Sequence, residues 1–346
     1  MWPYWLMLLV PVWAVLTPAR LPEGQRRVVW YLVGCAFALM IGLRYEVGGD
    51  WGNYLPYLER AGRQTFQEAT QVGDPGYAVL NWVGANYFGG IYTVNLFCGA
   101  VLMLGTMAFC RRQPNPWMGL VAAVPYMLIV VGMGYTRQAV ALGFALLGLT
   151  ALGKGSVRKF VMWVAIGALF HKSAVLLLPI AALAASRNRV FSALLVGAST
   201  VLMYYLLLAD SSEVMWNNYV TANYQSQGGL IRVIMNVVPG LLLVMYSKRL
   251  VPDPTERKLW LWMAAFSFVC LPLVVLASTA VDRVALYLIP LQLFVFSRLP
   301  RLAHTVRNRT PLVLGIVGYY TAVQFVWLNF GIHARGWLPY QFMPLW

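Results

Sequence analysis

Long apolar runs bounded by charge, proline or glycine follow one another along the chain, too continuous for amphipathic surface helices. Read against the roughly 17–25 residues that cross a bilayer as a helix, they give twelve candidate spans. These lie at 2–17, 28–43, 91–110, 116–131, 136–152, 157–171, 173–186, 190–208, 230–247, 259–277, 283–298 and 311–330, several of them short. A thirteenth apolar run, GYAVLNWVGANYFGG at 76–90, sets the side of everything after it according to whether it crosses. No internal repeat or low-complexity tract appears. The pattern predicts an all-α polytopic membrane protein with one integral domain over 1–346.

Composition agrees. The chain is 60% hydrophobic and 11% charged, with a mean hydropathy of +0.66, against about 45–50% apolar in a soluble domain. Cys35, Cys98, Cys110 and Cys270 fall in or beside apolar runs without the spacing of a disulfide framework or metal site, and read as small core residues. Residues 2–17 follow no basic stretch and end at no small-residue cleavage site, so they are expected to be a retained span.

Charge arbitrates the topology. If 76–90 stays on one side, alternate loops collect 18 of the 26 basic residues with only Glu23, Asp253 and Glu256, a balance of +15, while the other side holds 8 basic and 8 acidic residues. The positive-inside rule then puts both termini outside. Residues 76–90 become a re-entrant or interfacial element with Tyr77, Trp82 and Tyr87 as belt aromatics. The net charge of +15 is thus a topology signal, and a nucleic-acid partner is excluded because the basic residues are scattered through short turns.

The outer side keeps Arg44, Asp50, Arg137, His171, Lys172, Arg232, Asp282, Arg283, His333 and Arg335, most of them near span ends. Charges at a membrane edge are costly, so each asks for a partner or a purpose. Arg137 opens a span, where the helix dipole disfavours a cation by about 0.3–1 kcal/mol unless an anion is near. A guanidinium fork there suits a pyrophosphate clamp, the plainer reading being an interfacial arginine that snorkels. Arg283 also opens a span, with Asp282 as a ready partner and Tyr287 one turn on. His171 closes a span at the outer surface, as a chemical group or a satisfied helix end.

Asp50 follows Gly48 and Gly49, and Trp51, Tyr54, Leu55 and Leu58 after it share one helical face, which predicts an amphipathic helix on the outer surface inside an extracytoplasmic loop at 44–90. Asp50 is its N-cap or, beside arginines at headgroup level, a general base. Asp74 sits in Asp-Pro-Gly, first of all a turn signal. A second outer loop, 209–229, mixes Trp216, Tyr219 and Tyr224 with Asn217, Asn218, Asn223 and Gln225, a combination that suits a sugar.

Four separated pieces, LRYEVGGDWGNYLPYLERA, DPGY, YTRQAVALG and ALFHKSAVLLLP, stand in order over about residues 40–180, with DRVALY extending the pattern to about 290. Together they resemble the EpsG family of bacterial exopolysaccharide polymerases, a Wzy-like group related to membrane glycosyltransferases of the GT-C type. The family usually has Glu where Asp74 stands, and Lys172 after His171 is also a departure.

The resemblance implies a GT-C-like architecture of about twelve transmembrane helices plus interfacial helices on the periplasmic side. It implies glycosyl transfer at the outer face of the bacterial inner membrane, joining oligosaccharide repeat units carried on polyprenyl (undecaprenyl) pyrophosphate. Asp50 would be the base or acceptor-positioning carboxylate and Arg137 with Gln138 the pyrophosphate clamp. Arg44, His171, Arg283, Tyr287 and Tyr54 would supply supporting charge or acceptor contacts. The partners are the lipid-linked oligosaccharide, the lipid bilayer, and a flippase and chain-length or export proteins. Arginines can neutralise pyrophosphate unaided, so no cofactor or metal is expected, although Asp50 and Asp74 are two carboxylates able to hold a divalent cation.

Three rival functions share parts of this pattern. A flippase or exporter of lipid-linked saccharide wants polar groups at mid-membrane depth, where these spans carry almost none. A membrane acyltransferase using His171 wants its donor on the inner side. A glycosyltransferase with a single-sugar polyprenyl donor differs only in substrate.

Overall fold

The computed structural model describes residues 1–17, 21–71, 73–184, 189–203, 205, 228–303 and 305–343. Among these residues the chain is helical, with one isolated β-bridge between Arg44 and Phe342. The helices are α1 Trp2–Leu16, α2 Glu23–Gly42, α3 Trp51–Arg63, α4 Phe66–Thr70, α5 Pro75–Tyr87, α6 Ile91–Cys110, α7 Pro116–Gly134 and α8 Thr136–Leu152. They continue with α9 Val157–Phe170, α10 Leu178–Ala184, α11 Arg189–Met203, α12 Gly229–Leu250, α13 Pro254–Leu276, α14 Ser278–Leu286, α15 Pro290–Arg298 and α16 Val306–Phe330.

Among the described residues, five helices, α6, α7, α12, α13 and α16, are long and apolar enough to cross a membrane, and α14 with α15 forms a sixth candidate bent by 50°. With the shorter apolar helices α1, α8 and α11, they make a multi-pass membrane protein. The run predicted over 283–298 is the bent pair: the chain stops at Leu286, where Pro290 cannot continue the ladder, and restarts at Pro290 as a new N1 residue. The run at 76–90 becomes α5, whose 13 residues rise only about 20 Å, short of the roughly 30 Å hydrocarbon core.

Of these five helices α7 is the most enclosed, 94% of its apolar stretch being buried. Pro125 lacks an N–H for the α-helical ladder, and the stretch Val124–Val131 takes the wider π-helical form. α6 and α8 approach so closely that a Cβ on Gly105 would collide with the Gly143 carbonyl, the small-residue contact by which membrane helices bring backbones together. Buried amides tie the bent pair to its neighbours. Asn236 Nδ2 donates to the Ala285 carbonyl at 2.8 Å, Gln292 Nε2 to Asn236 Oδ1 at 2.7 Å, and Tyr320 Oη to Gln292 Oε1 at 2.9 Å. These bonds hold α12, α14, α15 and α16 in one register.

The bundle has two chemically distinct ends. At one, Arg112 donates to the Thr150 carbonyl, Arg111 to the Tyr31 hydroxyl, and Arg298 to Gln113 and Glu256. The opposite end gathers the start of α1, the loop 43–50 and the segment 336–343. There Tyr4 Oη donates to the Trp337 carbonyl, Gly48 N–H to the Gly336 carbonyl, Tyr45 N–H to Gln341 and Met343 N–H to Leu43. Trp337 is fully buried and donates from Nε1 to the Ile129 carbonyl at 3.0 Å. Gly48 takes φ +112°, and a Cβ there would run into the Met133 carbonyl, so loop 43–50 lies flat on the end of α7 only because that residue is glycine.

Candidate functional site

The site grows from the second of these ends. Arg137, the second residue of α8, points a guanidinium nitrogen at Asp74 Oδ2, 3.2 Å away. Asp74 occupies the N-cap position of α5 but caps nothing; its other oxygen, Oδ1, accepts the Lys172 amide at 3.3 Å. One buried carboxylate thus joins the starts of α5 and α8 to the turn after α9. The Arg137 guanidinium carbon lies 6.0 Å from the centre of the Tyr57 ring and 5.9 Å from that of Tyr77, within cation–π range. Burial raises the Asp74 carboxyl above the ordinary aspartate range, and the Arg137 charge and the Lys172 amide offset part of that rise.

Asp50 stands at the N-cap position of α3, yet its side chain accepts no backbone N–H there; Oδ1 takes a long bond of 3.4 Å from Asn53 Nδ2. The plain capping role is therefore not what occupies this carboxylate. Burial raises its pKa, against the lowering pull of Arg283 and, more weakly, of Asn53 and Arg137. Trp51 and Tyr54 of the predicted apolar face are buried against the bundle, Leu55 is exposed, and Pro56 is accommodated inside α3. The Tyr54 hydroxyl is pushed up to about 12 by burial and by the nearby Asp50 charge. Tyr54 packs 5.8 Å from Tyr77, ring centre to ring centre.

His171 lies in the break between α9 and the 3-10 turn Lys172–Leu177 and caps that turn, Nδ1 accepting the Ser173 amide at 3.3 Å. Burial, then the Arg283 and Arg137 charges, lower its imidazole to about 3, so the ring is neutral. Ser173 Oγ is 2.8 Å from the same nitrogen and 3.2 Å from Tyr287 Oη, the buried phenol at the end of α14.

Three expectations change. Arg283 does not open a helix: α14 begins at Ser278 and places it in the last turn, where the dipole favours a cation. Asp282 pairs with Arg232 on α12 through both carboxylate oxygens, a partner far from it in sequence. Arg44, expected to contact substrate, is 1% exposed; it donates to the Ile41 and Val47 carbonyls, Asn95 Oδ1 and Thr136 Oγ1. A guanidinium so engaged ties the end of α2 to α6 and α8.

Gln138, beside Arg137, is 3% exposed, and its Nε2 finds no hydrogen-bond partner among the described residues. The aromatic and amide residues expected to face a sugar in the loop 209–229, Trp216 to Gln225, lie outside the described residues. Two participants were missed as site residues. Asp74 carried a signal in DPGY but reads as a turn, and Ser173 carried only its place two residues after His171. Among the described residues no three His, Cys, Asp or Glu side chains group as a metal site.

One end of the bundle thus collects Arg137 with Asp74, Asp50, Tyr54, His171, Tyr287 and Arg283. The arginines can bind and stabilise an anion, Asp50 can accept a proton, and His171 can donate a hydrogen bond. The family model described as the EpsG family matches residues 27–342, from α2 to the segment that seals this end. No curated protein and no solved structure matches the chain.

Proposed function

Because the chain belongs to the EpsG family, with its exopolysaccharide polymerases, we propose that it joins polyprenyl-pyrophosphate-linked oligosaccharide repeat units by glycosyl transfer at the outer face of the bacterial inner membrane. The observation that carries this reading is Arg137: a cation at a helix start, braced from behind by Asp74, at the bundle end that also holds Asp50, His171 and Arg283. A helix start is already positive, so a second positive group there is favourable when a multiply charged anion arrives. A pyrophosphate leaving group is such an anion, and its charge grows in the transition state, where preorganised donors act most strongly.

In this reading the pyrophosphate sits between Arg137 and Arg283, with Gln138 and Tyr54 around it, and His171 donates to one of its oxygens. Asp50 accepts the proton of the acceptor sugar hydroxyl as that oxygen attacks the anomeric carbon. The bond from that carbon to the pyrophosphate oxygen breaks, and the polyprenyl pyrophosphate leaves with the electron pair. Asp50 suits the task because burial lifts its affinity for a proton toward neutral pH, where a general base works best. Arg44 serves the fold in this reading, tying the base of the loop that carries Asp50 to α6 and α8.

The surrounding architecture follows. One domain over 1–346 crosses the membrane about twelve times in a GT-C-like arrangement, α14 with α15 counting as one bent crossing. Residues 44–90 form an outer layer of α3, α4 and the non-crossing α5. The end rich in Arg111, Arg112 and Arg298 faces the cytoplasm by the positive-inside rule. A flippase delivers the lipid-linked units, and chain-length or export proteins take the product.

Reconstitution tests this. Purified protein in bilayers, supplied with the cognate polyprenyl-pyrophosphate repeat unit, is expected to give a product ladder on a gel that disappears with Arg137→Ala. Absence of a ladder with intact substrate would remove the polymerase reading.

A further inference from the structure

Ser173 has no part in the chemistry above, yet three contacts converge on it at the centre of the site. Its amide N–H donates to His171 Nδ1 at 3.3 Å, its Oγ lies 2.8 Å from the same nitrogen, and Oγ is 3.2 Å from Tyr287 Oη. An amide N–H can only donate, so Nδ1 is the lone-pair nitrogen of the imidazole. A neutral ring then carries its proton on Nε2. The serine hydroxyl has one proton, and at 2.8 Å from a lone-pair nitrogen that proton goes to Nδ1. Tyr287 is left to donate its phenol proton to Ser173 Oγ, which satisfies a hydroxyl that is otherwise buried.

The direction of this chain has a consequence at the far side of the ring. A neutral imidazole free to exchange tautomers would spend part of its time with a lone pair on Nε2, which repels a phosphate oxygen. With Nδ1 claimed twice, by an amide and a hydroxyl, Nε2 remains a donor, and among the described residues no side chain or carbonyl accepts its proton. The chain also ties two segments far apart in sequence: Tyr287 closes α14, one turn after Arg283, and His171 lies next to Lys172, whose amide holds Asp74.

We propose that Ser173 is a positioning residue which, with Tyr287, locks His171 as the neutral tautomer protonated on Nε2, so that a hydrogen-bond donor stands beside Arg137 and Arg283 for an anionic oxygen. The anion's identity as a pyrophosphate rests on the function proposed above; the tautomer does not.

Nitrogen-15 magnetic resonance of histidine-labelled full-length protein in bilayers tests it, His171 being assigned among the three histidines by its loss in His171→Gln. The expected spectrum shows an unprotonated Nδ1 and a protonated Nε2 for His171. In Ser173→Ala only the longer, 3.3 Å amide bond still holds Nδ1, so part of the ring population shifts to the other tautomer, and Ser173→Thr, which restores a hydroxyl, restores the single form. In the polymerisation assay Ser173→Ala lowers kcat about 10–100-fold, as loss of a supporting hydrogen bond behind a working imidazole does, with KM for the repeat unit little changed. A proton on Nδ1 in the parent protein, or an unchanged spectrum in Ser173→Ala, overturns the proposal. The expected tautomer without any product ladder upholds the lock and removes the polymerase reading instead.

Discussion

Arg137 and Asp74 are 63 residues apart in sequence and 3.2 Å apart in space, and the pair is lopsided: the Asp74 side chain is 8% exposed and the Arg137 side chain 36%. The carboxylate is built into the protein, and the arginine leans on it while keeping an open side. Such a pair has two separable jobs, one for folding and one for binding.

Separating them gives the first prediction. Arg137→Ala leaves Asp74 buried without its cation, a loss smaller than the roughly 3–5 kcal/mol of a fully buried pair broken on one side because the arginine is partly solvated, and both thermal stability and polymer formation fall. Adding Asp74→Asn removes the stranded charge and restores the melting temperature without restoring product. Recovery of product in the double variant would show that Arg137 serves only the fold.

Asp50 supplies the second. Burial raises its pKa, so the folded protein holds this proton more tightly than the unfolded chain does. The sign follows: its contribution to stability is present at low pH and lost as pH rises through the raised value. Asp50→Asn, which carries no charge, is therefore expected to keep or exceed the parent's melting temperature at neutral pH, with the advantage shrinking on acidification. Its kcat falls by about 10²–10⁴, the worth of a general base, and the parent's rate declines on the acid side at a pH above the ordinary carboxylate range. Thermal scans and rate profiles against pH read both effects.

The third concerns Arg44. Its donors reach two carbonyls, Asn95 and Thr136. Arg44→Lys supplies one compact ammonium for several directed bonds, so the yield of folded protein and the melting temperature drop, while kcat per folded molecule stays near the parent's. A selective fall in kcat at unchanged stability would return Arg44 to direct substrate contact.

The fourth concerns the seal. Trp337 is fully buried against the end of α7, and its truncation to alanine is expected to cost about 3–5 kcal/mol. Loop 43–50 should loosen with it, which protease cleavage or hydrogen exchange at Tyr45–Gly49 would detect. Protection unchanged in Trp337→Ala would mean that the Gly48 and Tyr45 backbone bonds hold the loop by themselves.

Much of this was legible along the chain. The apolar runs and one-sided basic loops marked a polytopic protein, and α5 proves too short to cross by itself. Arg137 at a helix start and Asp50 just before one are local facts, and sequence carries local facts well. Partnerships across the fold were not legible. Asp-Pro-Gly announces a turn whatever Asp74 touches, and Asp282 looks like the partner of Arg283 until the packing of α12 brings Arg232 to it. Arg44 reads as one more charge at a membrane edge, since nothing near it in sequence tells of Asn95 and Thr136. The bend after Leu286 was hidden because proline at a span's middle and at its start look alike.

The β-bridge from Arg44 to Phe342 and the bonds from residues 336–341 to the loop that carries Asp50 set an order of events during synthesis. Asp50 and Arg137 are translated and inserted early, but the strap that presses the Asp50 loop into place comes some two hundred residues after Arg137. A nascent chain still on the ribosome therefore has every proposed catalytic group and no assembled site. In the proposed reaction such a chain could not yet use its lipid-linked substrate, and one cut short before residues 336–341 is expected to be inert.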